Sequence, residues 1–222
     1  MMFKKILVAE DFDTINIAVA KTLEELSVPA VDHAKYCDDA LLKVKRAMQV
    51  NEPFDLLITD LSFPEDGRGA KIRSGEELIE KVREIQPGLD IIVFSVEDRP
   101  FRVSSLFEKH RISGFVFKGR SSLSQLKQAL QSIADGSTYL SPELSASRPG
   151  KQLGEIDDYD IALLKLMARG MTQGEIAQHF RETGVTPNST SAVEKKINKL
   201  KIQFMANNSI QIVVMAKDLG FI

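Results

Sequence analysis

The chain has a single cysteine, Cys37, in 222 residues. One thiol forms no disulfide within the chain and supplies no cysteine metal cluster. Net charge is also scarce: 29 lysines and arginines face 31 aspartates and glutamates, for a formal charge of −2. A chain so balanced does not coat nucleic acid nonspecifically, so any contact with DNA has to come from a local basic patch. No apolar run is long enough to span a bilayer, and Met1 to Glu10 passes directly into a short strand-like segment with no leader pattern. These absences lead us to expect a cytoplasmic protein without membrane association. The length allows one or two domains.

What is present is an alternation. Lys4 to Ala9 is a short apolar, strand-like run, and Asp13 to Ser27 has Ile17, Ala20, Leu23 and Leu26 at helical spacing. A weaker strand, Pro29 to His33, precedes a helical stretch from Tyr36 to Val50. Phe54 to Asp60 has the apolar density of a strand buried on both faces. A polar loop with glycines runs from Leu61 to about Ser74. Helix, strand, helix, strand and helix then follow at Gly75–Gln86, Asp90–Ser95, Pro100–His110, Ser113–Phe117 and Ser121–Ala134. Strand and helix alternating five times predict a five-stranded parallel, doubly wound α/β sheet in the order 2-1-3-4-5, with its switch point between strands 1 and 3.

Open sheets of this kind place their chemistry just beyond the carboxyl ends of the strands. There the sequence puts Glu10 and Asp11 after strand 1, Asp60 after strand 3, Ser95 after strand 4 and Lys118 after strand 5. Taken singly, each has an ordinary reading as a cap, a turn or a surface charge. Together, three carboxylates at the switch point call for a hard divalent cation, and Mg²⁺ suits a site of a few carboxylates, waters and a phosphate. Lys118 offers a point charge for phosphate oxygens and Ser95 a hydroxyl donor. In phosphoryl transfer, positioning and charge neutralisation are most of the catalysis. Asp60 is the expected acceptor.

These pieces resemble the receiver domain of two-component response regulators over residues 3 to about 136. The resemblance implies that Glu10, Asp11 and Asp60 bind Mg²⁺ with the backbone carbonyl of Ser62. It also implies that Ser95 and Lys118 contact the phosphoryl oxygens, and that Phe115 is an aromatic switch residue. A plain core phenylalanine is the competing reading of Phe115. Glu10 stands where aspartate is commoner in the family, Gly119 where proline is common, and the loop after Asp60 is longer than usual.

A Ser/Pro/Gly-rich stretch at 139–154 reads as a linker between a receiver at 1–138 and a second domain at 155–222. Beyond it strand signals vanish and four helical stretches follow, at Asp158–Arg169, Thr172–Phe180, Ser191–Met205 and Ser209–Leu219. In the third, Val193, Ile197, Leu200 and Phe204 share one face. Ser191 to Glu194 fits a capping box at its start. Lys195, Lys196, Asn198 and Lys199 take the other faces, with Ser189, Thr190 and Ser191 at the N-terminus. Lysines neutralise phosphates, helix N-termini bind them, and Asn pairs with adenine. With Thr172, these are the candidate DNA contacts; an ordinary solvated lysine face is the alternative.

Residues from about 155 onward resemble the LuxR-type helix-turn-helix of NarL/FixJ regulators, in Leu166-Met167-Ala168-Arg169-Gly170, Thr172-Gln173-Gly174-Glu175-Ile176-Ala177 and Thr190 to Leu200. Glu194 falls where that family commonly has a basic residue. The two resemblances together imply a response regulator phosphorylated on Asp60 by a histidine kinase or phosphotransfer protein. They also imply a homodimer acting on double-stranded promoter DNA. A receiver that docks proteins without phosphorylation is the alternative, and a phosphatase lacks any separate substrate pocket in the sequence.

Overall fold

The computed structural model describes residues 3–64, 69–145 and 156–222. They form two compact units, one carrying the sheet and one carrying the last four helices. No helix among the described residues is long and apolar enough to cross a membrane.

In the first unit the elements alternate as β1 (Lys5–Ala9), α1 (Asp13–Glu25), β2 (Ala30–Ala34), α2 (Cys37–Gln49), β3 (Leu56–Thr59), α3 (Gly75–Ile85), β4 (Asp90–Ser95), α4 (Pro100–His110), β5 (Gly114–Phe117) and α5 (Ser122–Ala134). A short β6 (Tyr139–Leu140) and a helical turn α6 (Pro142–Ser145) complete the unit. The strand order is β2-β1-β3-β4-β5-β6, all parallel. The expected order is therefore present, with β6 added beside β5.

The pleat explains why the central strands read as continuous apolar runs. Successive side chains point to opposite faces, and both faces are covered. Leu7, Leu57, Ile91, Val93 and Phe115 face one core with the inner sides of α2, α3 and α4. Ile6, Val8, Leu56, Ile58, Ile92, Phe94 and Val116 face the other, against α1 and α5. In α1 the inward stripe is Val19, Thr22 and Leu23, and Ile17 is 69% exposed. The helix carries apolar residues on two sides, so of the expected stripe Leu23 and Leu26 face the core while Ile17 does not.

The sixth strand shortens the expected linker. Tyr139 pairs with Gly114 and Leu140 with Phe115. Ser141 is fully buried; its hydroxyl accepts from Phe117 N–H at 2.9 Å and donates to Gln125 Oε1. Gln125 Nε2 in turn donates to both Glu143 oxygens, at 2.7 and 2.9 Å. The stretch 139–145 is thus part of the sheet unit, and the rest of the expected linker, 146–154, lies outside the described residues. Two strand residues are too few to show a period, so the sequence displayed only their Ser-Pro turn chemistry.

The second unit comprises α7 (Asp158–Ala168), α8 (Gln173–Glu182), α9 (Thr190–Gln203) and α10 (Ser209–Asp218). Asp157 with Asp160, and Thr172 with Glu175, form capping boxes. Gly170 ends the α7 turn at φ +82°, a conformation open to glycine without a Cβ penalty. Leu163, Leu164, Ile176, Phe180, Val193, Ile197, Leu200, Phe204 and Ile212 make its core.

Candidate functional site

Parallel pairing brings the strand ends level. Ala9 is opposite Thr59 and Phe117 opposite Ser95, so Glu10, Asp60, Ser95 and Lys118 emerge at one edge of the sheet. Glu10 is 2% exposed, Asp60 5% and Ser95 1%. Carboxylates this deep need partners. The Lys118 ammonium supplies them, at 2.7 Å from Glu10 Oε2 and 2.6 Å from Asp60 Oδ2. Phe12 N–H donates to Glu10 Oε1 at 3.2 Å, and Leu61 N–H to Asp60 Oδ1 at 2.6 Å. Burial pushes the Glu10 carboxyl above its ordinary value, against the opposing pull of Lys118.

Oxygens of Glu10, Asp11 and Asp60 all lie within 4.8 Å of one another. Three carboxylates against one ammonium leave a formal −2, which a divalent cation would balance. Two further observations fit a cation and a phosphoryl group. Asp11 Oδ1 and Ser95 Oγ are buried, and neither has a hydrogen-bond partner among the described residues. A carboxylate oxygen suits a hard cation, and a hydroxyl suits a phosphoryl oxygen. The donor set, all oxygen and partly charged, fits a hard divalent cation such as Mg²⁺.

Ser62 is exposed and forms an isolated antiparallel bridge with Ser74, tying together the two ends of the long loop. Ile72 is buried in the core and Lys71 N–H donates to Asp38 Oδ2 at 2.9 Å, so the returning arm of the loop is held on α2. The loop's centre, 65–68, lies outside the described residues. Phe115 is wholly buried in β5, in the core shared with Val103, Leu106 and Leu144.

Sequence reasoning missed two residues that position this site. A Cβ on Gly75 would lie 1.8 Å from the carbonyl oxygen of Asp60 and 3.0 Å from Leu61 Cα. The absence of a side chain lets α3 begin directly on the Asp60–Leu61 backbone, where Gly75 N–H donates to Leu61 O at 3.0 Å. Asn16 of α1 donates to the Glu10 carbonyl at 2.6 Å and meets His33 Nδ1 at 3.2 Å. Neither role is visible in the local sequence pattern, because the contacts of Gly75 with Asp60 and of Asn16 with Glu10 and His33 are made only once the chain is folded.

In the second unit the candidate DNA contacts separate into two groups. Ser189, Thr190, Ser191, Lys195, Asn198 and Lys199 are exposed around the start and outer face of α9. Ser189 caps the helix, accepting from Ala192 N–H at 3.2 Å. The expected capping box from Ser191 to Glu194 therefore does not form. The helix starts earlier, at Thr190, and Glu194 is left out of the cap. Thr172 is exposed and engaged with Glu175 at the start of α8. Lys196 is turned inward, against the expectation. Its ammonium lies 3.0 Å from Asp157 and 3.1 Å from the fully buried Asp160, and 5.7 Å from the centre of the Tyr159 ring. Burial alone would lower the Lys196 value, but the two aspartates outweigh it and hold it above the ordinary one. Burial pushes the Asp160 carboxyl upward.

Known proteins resemble the chain along most of its length. Over 202 residues the chain is 25% identical to the transcriptional regulatory protein RcsB of Salmonella typhi, covering 89% of this chain and 87% of that protein. It is 25% identical over 142 residues to the response regulator GacA of Pseudomonas aeruginosa, covering 64% of this chain and 60% of GacA. Among solved structures, Salmonella typhimurium RcsB superposes with a TM-score of 0.69 at 21% identity, over 96% of this chain and 98% of that one. A structure of two RcsB dimers bound to two parallel DNAs gives 0.66 at 20% identity, over 97% and 98%. Those likenesses establish the fold along almost the whole length. The model of the response regulator receiver domain matches residues 6–131, which takes in Glu10, Asp11, Asp60, Ser95 and Lys118. With that match covering more than half of the residues, the chain belongs to the response regulator receiver domain family.

Proposed function

We propose that Asp60 accepts a phosphoryl group and that this event controls DNA binding by the second unit. The observation that carries the reading is the convergence of Glu10, Asp11 and Asp60 on one charge-deficient edge, with Lys118 across two of them and the Ser95 hydroxyl unpartnered beside them. The donor is a phosphohistidine of a sensor kinase or phosphotransfer protein. An Asp60 oxygen forms the new P–O bond as the P–N bond to the donor breaks. Glu10, Asp11 and Asp60, with the Ser62 carbonyl, would hold Mg²⁺, which when bound neutralises the charge that gathers on the phosphoryl oxygens. Lys118, already 2.6 Å from Asp60, contacts a phosphoryl oxygen, and Ser95 donates to another. The transfer is the chain's own chemistry and has no turnover substrate.

The second unit is a helix-turn-helix in which α9 enters the major groove. Its relatives in the RcsB structures are named as dimers bound to DNA, and we extend both properties to this chain as a homodimer on promoter half-sites. The new charge at Asp60 would draw in Ser95 and repack the core around Phe115, in a two-state shift. The test is DNA affinity on a promoter fragment with and without a small-molecule phosphodonor and Mg²⁺. A change in the wild type that Asp60→Asn abolishes supports the proposal. Equal affinity in all four samples removes the control step.

One observation favours a second reading. Lys118 already satisfies both Glu10 and Asp60, so the site is closed by an internal cation. A receiver that docks partners without phosphorylation would use it in this form. DNA binding and partner binding indifferent to Asp60→Asn would select it.

A further inference from the structure

Glu194 is the odd member of the outer face of α9. The buried stripe of the helix is Val193, Ile197, Leu200 and Phe204. This turns Ser191, Glu194, Lys195 and Asn198 outward, and all four are exposed. Three ordinary explanations for the glutamate fail in turn. It is not a cap, because Ser189 holds that place and Ser189 pairs with Ala192 N–H. It has no ion-pair partner on its own helix: the positions three and four residues away are Thr190, Ser191, Ile197 and Asn198, none of them basic. It lies fifth in a helix that starts at Thr190, beyond the first turn where the helix dipole favours a carboxylate. Among the described residues it makes no hydrogen bond or salt bridge. Lys196 of the same helix is taken by Asp157 and Asp160.

An unpaired carboxylate on a face that meets phosphates opposes binding to every sequence alike. The opposition is offset only where the carboxylate meets a donor. The major groove offers cytosine N4 as the donor that Glu accepts from. We propose that Glu194 is a specificity-determining residue of the recognition helix, accepting a hydrogen bond from the exocyclic amine of one cytosine per half-site and repelling DNA that lacks it. This rests on the proposed insertion of α9 into the major groove. Asn198 lies one turn further along, about 6 Å by helical rise, so its base contact falls about two base-pair steps from that cytosine.

The experiment is selection by the full-length protein from a randomised duplex library, with phosphodonor and Mg²⁺, for wild type, Glu194→Ala and Glu194→Gln. The selected wild-type site is expected to contain a C·G pair whose replacement weakens binding about 5- to 150-fold. Glu194→Ala should bind random duplex more tightly and lose preference at that one pair, keeping the preference at the others. Glu194→Gln should move it from C·G toward A·T, since Gln pairs with adenine. If Glu194→Ala raises affinity uniformly and keeps every base preference, Glu194 is only a repulsive charge and the assignment is overturned. If wild type enriches no sequence at all, the DNA-binding reading itself fails. That outcome is distinct, since the first keeps a selected site and the second has none.

Discussion

Replacing Lys196 by methionine separates a clamp from a DNA contact. The Asp160 carboxylate is fully buried, and its nearest cation is Lys196, at 3.1 Å. Removing one partner of a buried ion pair leaves the other charge unpaired, at a cost of roughly 3–5 kcal/mol. Lys196 keeps 19% side-chain exposure and Asp157 57%, so water relieves part of the penalty. The lower end, about 3 kcal/mol, is the expected loss. Methionine keeps an apolar stem of similar length and removes the ammonium that lies by the Tyr159 ring, so the loss is chiefly electrostatic. In hydrogen exchange by mass spectrometry, amides of α7 and α9 that open only with the whole unit should exchange about a hundredfold faster. Peptides of the sheet unit should be unchanged. Adding Asp160→Asn should recover part of the loss, because the orphaned charge goes with it. The reasoning is refuted if exchange is unaffected while DNA affinity falls and its salt dependence weakens by one phosphate contact, the signature of a lysine on the backbone of DNA.

Other outcomes follow from the same geometry. Gly75→Ala puts a methyl group 1.8 Å from the Asp60 carbonyl oxygen, where the three nearest atoms are all backbone. It should cost about 3 kcal/mol or more in urea unfolding and abolish phosphorylation even where the fold survives, as checked by circular dichroism. Gln125→Leu removes the Oε1 acceptor that Gln125 gives the buried Ser141 hydroxyl, and should cost about 1–3 kcal/mol and loosen protection of the Phe117 amide. Burial holds the Cys37 thiol up, from the ordinary 9.0 to about 12, so native protein should react with thiol reagents only after denaturant is added. The folded value lies above the unfolded one, so this contribution to stability is intact below about pH 9 and is lost as pH rises toward 12. Cys37→Ala should flatten that part of the alkaline denaturation profile.

The sheet was legible because each of its central strands is buried on both faces, which forces continuous apolar runs such as Leu56-Leu57-Ile58 and leaves polar residues only at the ends. For the same reason the site carboxylates stood out: Asp60 ends an apolar run. What was not legible depended on contacts between distant segments. The inward turn of Lys196 is set by Asp157 and Asp160, more than thirty residues away. The role of Gly75 depends on where α3 starts over Asp60. The start of α9 was misplaced because three hydroxyl residues, Ser189, Thr190 and Ser191, can each cap a helix, and in the fold it is Ser189 that accepts from Ala192 N–H. The sixth strand needed the Ser141 and Gln125 network, in which neither residue looks like a strand signal.

The most direct measurement is intact mass of the protein after incubation with a small-molecule phosphodonor and Mg²⁺, with peptide mapping and an Asp60→Asn control. The account predicts one phosphoryl group on the wild type, mapped to Asp60, absent from the control and absent when Mg²⁺ is chelated. A folded wild type that takes up no phosphoryl group from the small donor or from a phosphorylated histidine domain, or takes it up equally in Asp60→Asn, would contradict it.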